Sequence, residues 1–291
     1  NSVSLIGGFV ILLNLYLIIN SFKFLDLDYL NFKDNFSNII LILGSTFFLI
    51  GFFDDLKNLS PNLKLLLIIF TISTITFFFP ELKLELIKIT FLKNNYFFGN
   101  FSFFFIVLSF ALLANALNMF DGINLQLIIY TLFVFLIFIL KGFLPIFFIL
   151  LSICLIFLGI LNFKNKIFIG DGGCYLISSL IGCTFIYQYK NFDNFLFGDE
   201  IFIILLIPAI DMLRLFVVRI LKKKHPFKGD LNHLHHLVNK FVKNKNITIM
   251  ITIFLCVLPV LLMYLEFKTY LVLMINLIIY FSLILFLGYK K

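Results

Sequence analysis

The chain is built of long apolar runs divided by short polar breaks. Ten runs stand out, at roughly 3–22, 38–53, 65–80, 101–118, 124–140, 143–161, 174–189, 201–217, 247–266 and 269–287. Runs of this length predict membrane-spanning helices, although several fall short of the ~20 residues that a straight span prefers. One connector has a different rhythm. Residues 82–98, LKLELIKITFLKNNYFF, alternate polar and apolar positions and turn at Asn94-Asn95. That pattern predicts a small surface β-hairpin, with an amphipathic surface segment as the alternative. No internal repeat and no linker interrupts the series. The expected fold is therefore an all-α polytopic membrane protein, one integral membrane domain over 1–291 with about ten spans. The chain opens on Asn1-Ser2-Val3, without a basic leader or a cleavage pattern, so one further helix is expected to precede it.

Composition excludes a soluble protein: 62% of residues are hydrophobic and the mean hydropathy is +1.10. The net charge of +8 would suggest nucleic acid if its distribution were ignored. The basic residues sit between apolar runs, however, and their placement has a simpler cause. Two runs separate Asp55 from Asp121, two separate Asp121 from Asp171, and two separate Asp171 from the loop 214–245. All four polar clusters thus face one side, which carries 15 of the 23 Lys and Arg residues. The positive-inside rule makes that side cytoplasmic, as expected for a plasma (inner) membrane protein. Cys154, Cys174, Cys183 and Cys256 lie inside apolar runs without paired spacing, and read as buried thiols.

The clusters carry the candidate chemistry. In GFFDDLKNLSPNLK, Asp54 and Asp55 end an apolar run, and Ser60-Pro61-Asn62 starts the next helix. Adjacent carboxylates require a membrane surface or a wet cavity. In the second cluster, Asn115, Asn118 and Asp121 recur every three residues, stacking two amides and a carboxylate on one helix face, and Gly122 ends the turn. Helix–helix hydrogen bonding would account for the two amides alone. The third cluster, Phe168-Ile-Gly170-Asp171-Gly172-Gly173, surrounds a carboxylate with glycines whose backbone amides would lie open to a phosphate. The fourth, Pro226-Phe-Lys-Gly-Asp230-Leu-Asn-His233-Leu-His235-His236, gathers all four histidines, with His225, among basic residues. That field suits an anionic ligand better than zinc, the competing reading. Hard oxygen ligands select Mg²⁺, with Mn²⁺ as the substitute. Carboxylates, glycines and bases at a membrane surface point to phosphoryl transfer involving a lipid. A secondary transporter, or an intramembrane protease with two aspartates, would place its carboxylates deeper in the bilayer.

Five stretches, GFFDDLKNLSPNLKL, NALNMFDGIN, NFKNKIFIGDGG, IPAIDMLRLFVVR and HPFKGDLNHLHHL, together resemble the polyprenyl-phosphate N-acetylhexosamine-1-phosphate transferases of glycosyltransferase family 4. That family includes the undecaprenyl-phosphate GlcNAc-1-phosphate transferases and the phospho-MurNAc-pentapeptide translocases. The resemblance covers nearly the whole chain. It implies that a lipid phosphate attacks the β-phosphate of a UDP-sugar, releases UMP and begins cell-envelope polysaccharide synthesis. The form of the His cluster is closer to the GlcNAc branch, with phospho-MurNAc-pentapeptide transfer as the alternative. By this resemblance Asp54, Asp55 and Asp171 are catalytic, with Asp171 and Asp55 on the metal and Asp121 a further candidate ligand. Asn115, Asn118, Asp121, Gly122, Asn162, Phe168, His233, His235 and His236 are the candidate substrate contacts. The expected partners are a UDP-sugar, a polyprenyl phosphate and the membrane, with no nucleic acid, and the resemblance leaves room for a homodimer. Asp211, three residues before Arg214, is expected to pair with it structurally. Ser4-Leu5-Ile6-Gly7-Gly8 resembles an early Gly-Gly turn of the family. Cys174 stands where the family usually has Ser, Asn124-Leu125 replaces a more usual Asp/Asn-Gly, and the segment before Phe168 lacks a common Pro-Ala.

Overall fold

A computed structural model describes residues 5–24, 36–92, 96–191, 196–226 and 230–289. Its helices are α1 (Gly7–Phe24), α2 (Phe36–Lys57), α3 (Pro61–Phe78), α4 (Ser102–Phe120), α5 (Gln126–Leu140), α6 (Pro145–Phe163), α7 (Gly170–Asn191), α8 (Gly198–Leu221), α9 (Leu234–Val242), α10 (Lys245–Tyr264) and α11 (Thr269–Tyr289). Ten of them match the ten apolar runs. Eight helices among the described residues are long and apolar enough to cross a membrane: α1–α4, α6, α8, α10 and α11.

The other two long helices differ for physical reasons. Helix α5 has only 15 residues. Helix α7 has 22, but it includes Gly, Ser, Thr and Gln. It tolerates them because 16 of its residues are buried against other helices, among them α1, α2, α4 and α5. A helix sheathed in protein need not be apolar to lipid. Helix α7 nonetheless runs the length of the bundle. The N-terminus of α7 meets the carboxylates of α2, and Lys190 at its far end donates to the carbonyl of Glu81.

Local chemistry sets several of the boundaries. The Ser60 hydroxyl caps α3 by accepting from Leu63 N–H at 3.4 Å, with Pro61 at the first helical position, as its sequence implies. Helix α7 starts four residues before its apolar run, so Gly170–Gly173 is its first turn. The 9-residue α9 was not among the predicted helices, since it buries only Leu234, His235 and Val238.

The hairpin is present. Strand β1 (Leu86–Ile87) pairs antiparallel with β2 (Tyr96–Phe97), while the Asn94-Asn95 turn lies outside the described residues. It is stitched to the end of the bundle remote from the carboxylate clusters. The Tyr189 hydroxyl bonds Lys88 N–H, the Lys88 carbonyl accepts from Gly198 N–H at 2.9 Å, and Asp199 accepts from Thr90 N–H at 3.1 Å. Asp199 also receives the hydroxyls of Thr90 and Thr269, tying hairpin, α8 and α11 together.

Candidate active site

The site is organised where α2 ends against the start of α7. Gly51 makes this approach possible, because a Cβ there would collide with the backbone of Asp171 and Gly172. One turn on, Asp55 accepts from Asp171 N–H at 2.9 Å through Oδ1 and from Gly172 N–H at 3.2 Å through Oδ2. These are orphan donors of a helix N-terminus, so Asp55 caps α7 from another helix. That corrects the reading of the glycine turn as open phosphate-binding amides: at Asp171 and Gly172 they are occupied. Gly170 has φ +73°, and a Cβ there would fall 2.5 Å from Asp55 Oδ2. The Gly-Gly pair at the start of α1 closes the turn from outside. Gly7 and Gly8 N–H each donate at 3.0 Å, to the carbonyls of Phe168 and Ile169. Phe168 thus contributes its backbone here, and its ring is half-buried.

Asp54 is buried and accepts from Leu59 N–H at 2.8 Å. Its other oxygen pairs with Lys64, whose Nζ also lies 3.7 Å from Asp171 Oδ2. Lys64 therefore offsets one charge of a two-carboxylate cluster that joins α2, α3 and α7. Sequence reading gave it only a topological meaning. A usable signal existed, because Lys64 lies in the first turn of α3, where the helix dipole disfavours a cation unless carboxylates face it.

Helix α4 delivers the second cluster. Asp121 follows its last turn and accepts from the Cys174 thiol at 3.4 Å. Burial pushes the Asp121 carboxyl up to about 6; the Cys174 hydrogen bond opposes this and the charge of Asp55 adds to it. Asn118 lies beside Asp171, but its buried Nδ2 makes no hydrogen bond of good geometry to any described residue. Asn115 does not join them, for its amide donates back to the Ala111 carbonyl at 2.7 Å. Asn162 is buried and fully engaged: Oδ1 accepts from Leu125 N–H at 2.7 Å and Nδ2 donates to the Ile167 carbonyl at 2.9 Å. It clasps the α4–α5 turn to the α6–α7 turn, and Leu125 there adopts φ +73°.

The histidines arrive from the far end of the chain. His235 is buried against Gly122, where any added Cβ would strike its Nε2. That nitrogen has no hydrogen-bond partner among the described residues. Burial lowers the His235 imidazole to about 3, with His236 and His233 adding to the effect, so the ring is neutral at pH 7. The rings of His233 and His235 lie 5.5 Å apart and nearly parallel, and His236 is 4.2 Å from His235. His233 Nδ1 contacts Asp211 Oδ2 at 3.0 Å, and Asp211 pairs with Arg214 at 2.8 Å, as their spacing implied. Asp230 pairs with Arg219 at 3.0 Å. Burial opposes ionisation at Asp230, yet that bond and the Asn232 N–H hold its carboxyl below the usual range.

Among the described residues no three His, Cys, Asp or Glu side chains converge as a preformed metal site. Mg²⁺, though, is commonly held by one or two carboxylates plus substrate phosphates. The adjoining Asp54 and Asp171 offer that donor set, with Asp121 and its elevated affinity for a proton nearby. The residues fit a hard divalent cation that the substrate helps to bind.

No curated protein matches the chain. The family model described as "Glycosyl transferase family 4" matches residues 37–189, which hold Asp54, Asp55, Asp121 and Asp171 but stop short of the histidines. This match spans just over half of the chain and covers the α2–α7 junction, and by it the chain belongs to glycosyl transferase family 4, the multi-pass membrane enzymes that transfer a sugar-1-phosphate from a UDP-sugar to a polyprenyl phosphate in a metal-dependent reaction.

Proposed function

We propose that the sugar transferred is N-acetylglucosamine-1-phosphate, taken from UDP-GlcNAc at the cytoplasmic face of the plasma membrane. The product, a polyprenyl diphosphate sugar, starts a cell-envelope polysaccharide, and the 1–291 chain acts as one membrane domain. The observation that carries this reading is the meeting of Asp54, Lys64 and Asp171 with Asp121 and His235 at one end of the bundle. Preference for GlcNAc is supported by the form of the histidine cluster, Pro226-Phe-x-x-Asp230-x-x-His233-x-His235-His236.

In this reading an oxygen of the lipid phosphate attacks the β-phosphorus of the UDP-sugar. The bond to the bridging oxygen breaks, and its electron pair leaves on UMP. A phosphate monoester with its second pKa near ~6 is already largely dianionic at neutral pH, so no strong general base is required. Mg²⁺ or Mn²⁺, held by Asp54 and Asp171 with Asp121 close by, would offset charge on the diphosphate. Lys64 supplies a fixed positive charge to the incoming phosphates. Asn118 and the open edge of His235 supply polar contacts for the donor. Asp55 and Asn162 serve by holding the turns in place.

The test is UMP release by purified protein with undecaprenyl phosphate and Mg²⁺. UDP-GlcNAc, UDP-GalNAc and UDP-MurNAc-pentapeptide would be offered in turn. We expect lipid-dependent release with UDP-GlcNAc. Turnover only with UDP-MurNAc-pentapeptide would move the chain to the other branch, and substrate uptake without UMP would indicate a transporter. Cysteines placed at Lys57 and Lys166 should react only from the cytoplasmic side; labelling from outside intact cells would reverse the assigned topology.

A further inference from the structure

Asp211 sits inside α8 and is only 5% exposed, yet it serves four donors. Its Oδ1 accepts from Arg214 Nη2 at 2.8 Å, Tyr280 OH at 2.7 Å and Leu234 N–H at 3.1 Å, while Oδ2 faces His233 Nδ1 at 3.0 Å. Tyr280 belongs to α11, is fully buried, and also accepts from Arg214 Nε at 2.8 Å. Arg214 reaches on to the Asn232 carbonyl at 2.7 Å. A pairing of Asp211 with Arg214 alone would not account for this arrangement. A buried ion pair is weak evidence for stability, so its role is better read from the groups it holds.

Its contacts converge on one object. Leu234 N–H is the first orphan donor of α9, and His233 is the capping position of that helix without a side-chain cap of its own. Asp211 supplies the missing cap by accepting from Leu234 N–H, 23 residues away. The same carboxylate fixes the imidazole of His233. An acceptor-only oxygen opposite Nδ1 requires the proton on Nδ1, which leaves Nε2 as the free edge. His233 stacks on His235, and His235 rests on Gly122 beside Asp121. Position is therefore transmitted from α11 and α8, through His233, to the histidine edge of the site.

We infer that Asp211 is a positioning residue for the histidine cluster, held by Tyr280 and Arg214, so that α11 helps to position the site. The inference rests on the proposed function in placing the histidines against the substrate. The chain has only four histidines, so ¹⁵N-histidine labelling of the purified full chain resolves each ring. His233 should show a protonated Nδ1 in the wild type and lose that signature in Asp211→Asn. UMP release should fall about a hundredfold in that variant, the scale of a ~1 Å misplacement of a catalytic group. Tyr280→Phe removes one hydroxyl and should keep the fold. It should lower kcat about tenfold or more, because the hydroxyl's two bonds, to the Asp211 carboxylate and from the Arg214 guanidinium, are both charge-assisted, with KM for the UDP-sugar little changed. A wild-type His233 protonated on Nε2 alone, or wild-type kcat in both variants, would overturn the inference. A wild type that releases no UMP from any UDP-sugar would instead overturn the reaction reading, while the ring signature would still decide whether Asp211 sets His233.

Discussion

Gly122→Ala is the most selective perturbation of the contact between the two halves of the site. The position is exposed and its φ is not in the left-handed region, so alanine brings no backbone strain. What it brings is a methyl group 2.5 Å from His235 Cε1 and 2.7 Å from Cδ2, and closer still to Nε2. Ordinary contact begins near 3.4 Å, so the ring must retreat by roughly 1 Å or more, and α9 with it. If the His235 edge contacts the donor in the transition state, such a displacement should cost on the order of 10²-fold in kcat. The assay is lipid-dependent UMP release, run beside a thermal unfolding curve that should move little. The decisive control is the double variant. In Gly122→Ala with His235→Ala the methyl has room, so the double variant should be no slower than His235→Ala alone, a strongly non-additive cycle. Additive losses, or near-wild-type turnover in Gly122→Ala, would refute the placement of His235 at the site.

Four further outcomes follow from the same geometry. Asp55→Ala strips the cap from α7 and should cost about 2 kcal/mol of stability, with Asp55→Asn milder because it keeps one acceptor; equal unfolding curves for both and the wild type would contradict the capping role. Protein stripped with EDTA should bind Mn²⁺ detectably by electron paramagnetic resonance, and Asp171→Asn should weaken that binding about tenfold or more; unchanged binding would take Asp171 out of the metal site. His235 has a folded pKa near 3, below its unfolded value, so the unfolded chain takes up its proton first as pH falls below ~6.5. The stability lost between pH 7.5 and pH 5 should thus be smaller in His235→Gln than in the wild type; parallel losses would show that the ring is not held neutral. At the remote end, Asp199→Ala would leave Thr90 and Thr269 without their shared acceptor and should cost about 3 kcal/mol. Turnover of the folded fraction should stay the same, and a selective loss of kcat would tie the hairpin to the chemistry.

What could be read from the sequence divides along a physical line. The bilayer acts on each residue by its own polarity, so the apolar runs, their parity and the shared face of the four clusters were all readable in one dimension. The hairpin was readable too, because alternation is local. The start of α7 was not, since Gly170–Gly173 is no part of an apolar run and its cap is Asp55, 116 residues earlier. Helix α9 was hidden for the same reason: its polar turn holds a helix because Asp211 receives Leu234 N–H. Asn115, on the correct stripe, spends its amide on its own helix, and Asn162, among the candidates for the nucleotide pocket, clasps two turns. Tyr280 had no local signal at all, being one hydroxyl in an apolar run. A bilayer-exposed hydroxyl there would be tolerated, so only its two partners on α8 reveal that it is engaged. Polarity thus tells which surface a group must reach, whereas its role depends on which donors the packing of other helices brings to it. The residues most open to misreading are therefore carboxylates near a reactive centre. Asp54 and Asp55 are neighbours of the same type; one meets Lys64 in the charge cluster and the other caps a helix, because α2 turns its successive residues to different partners.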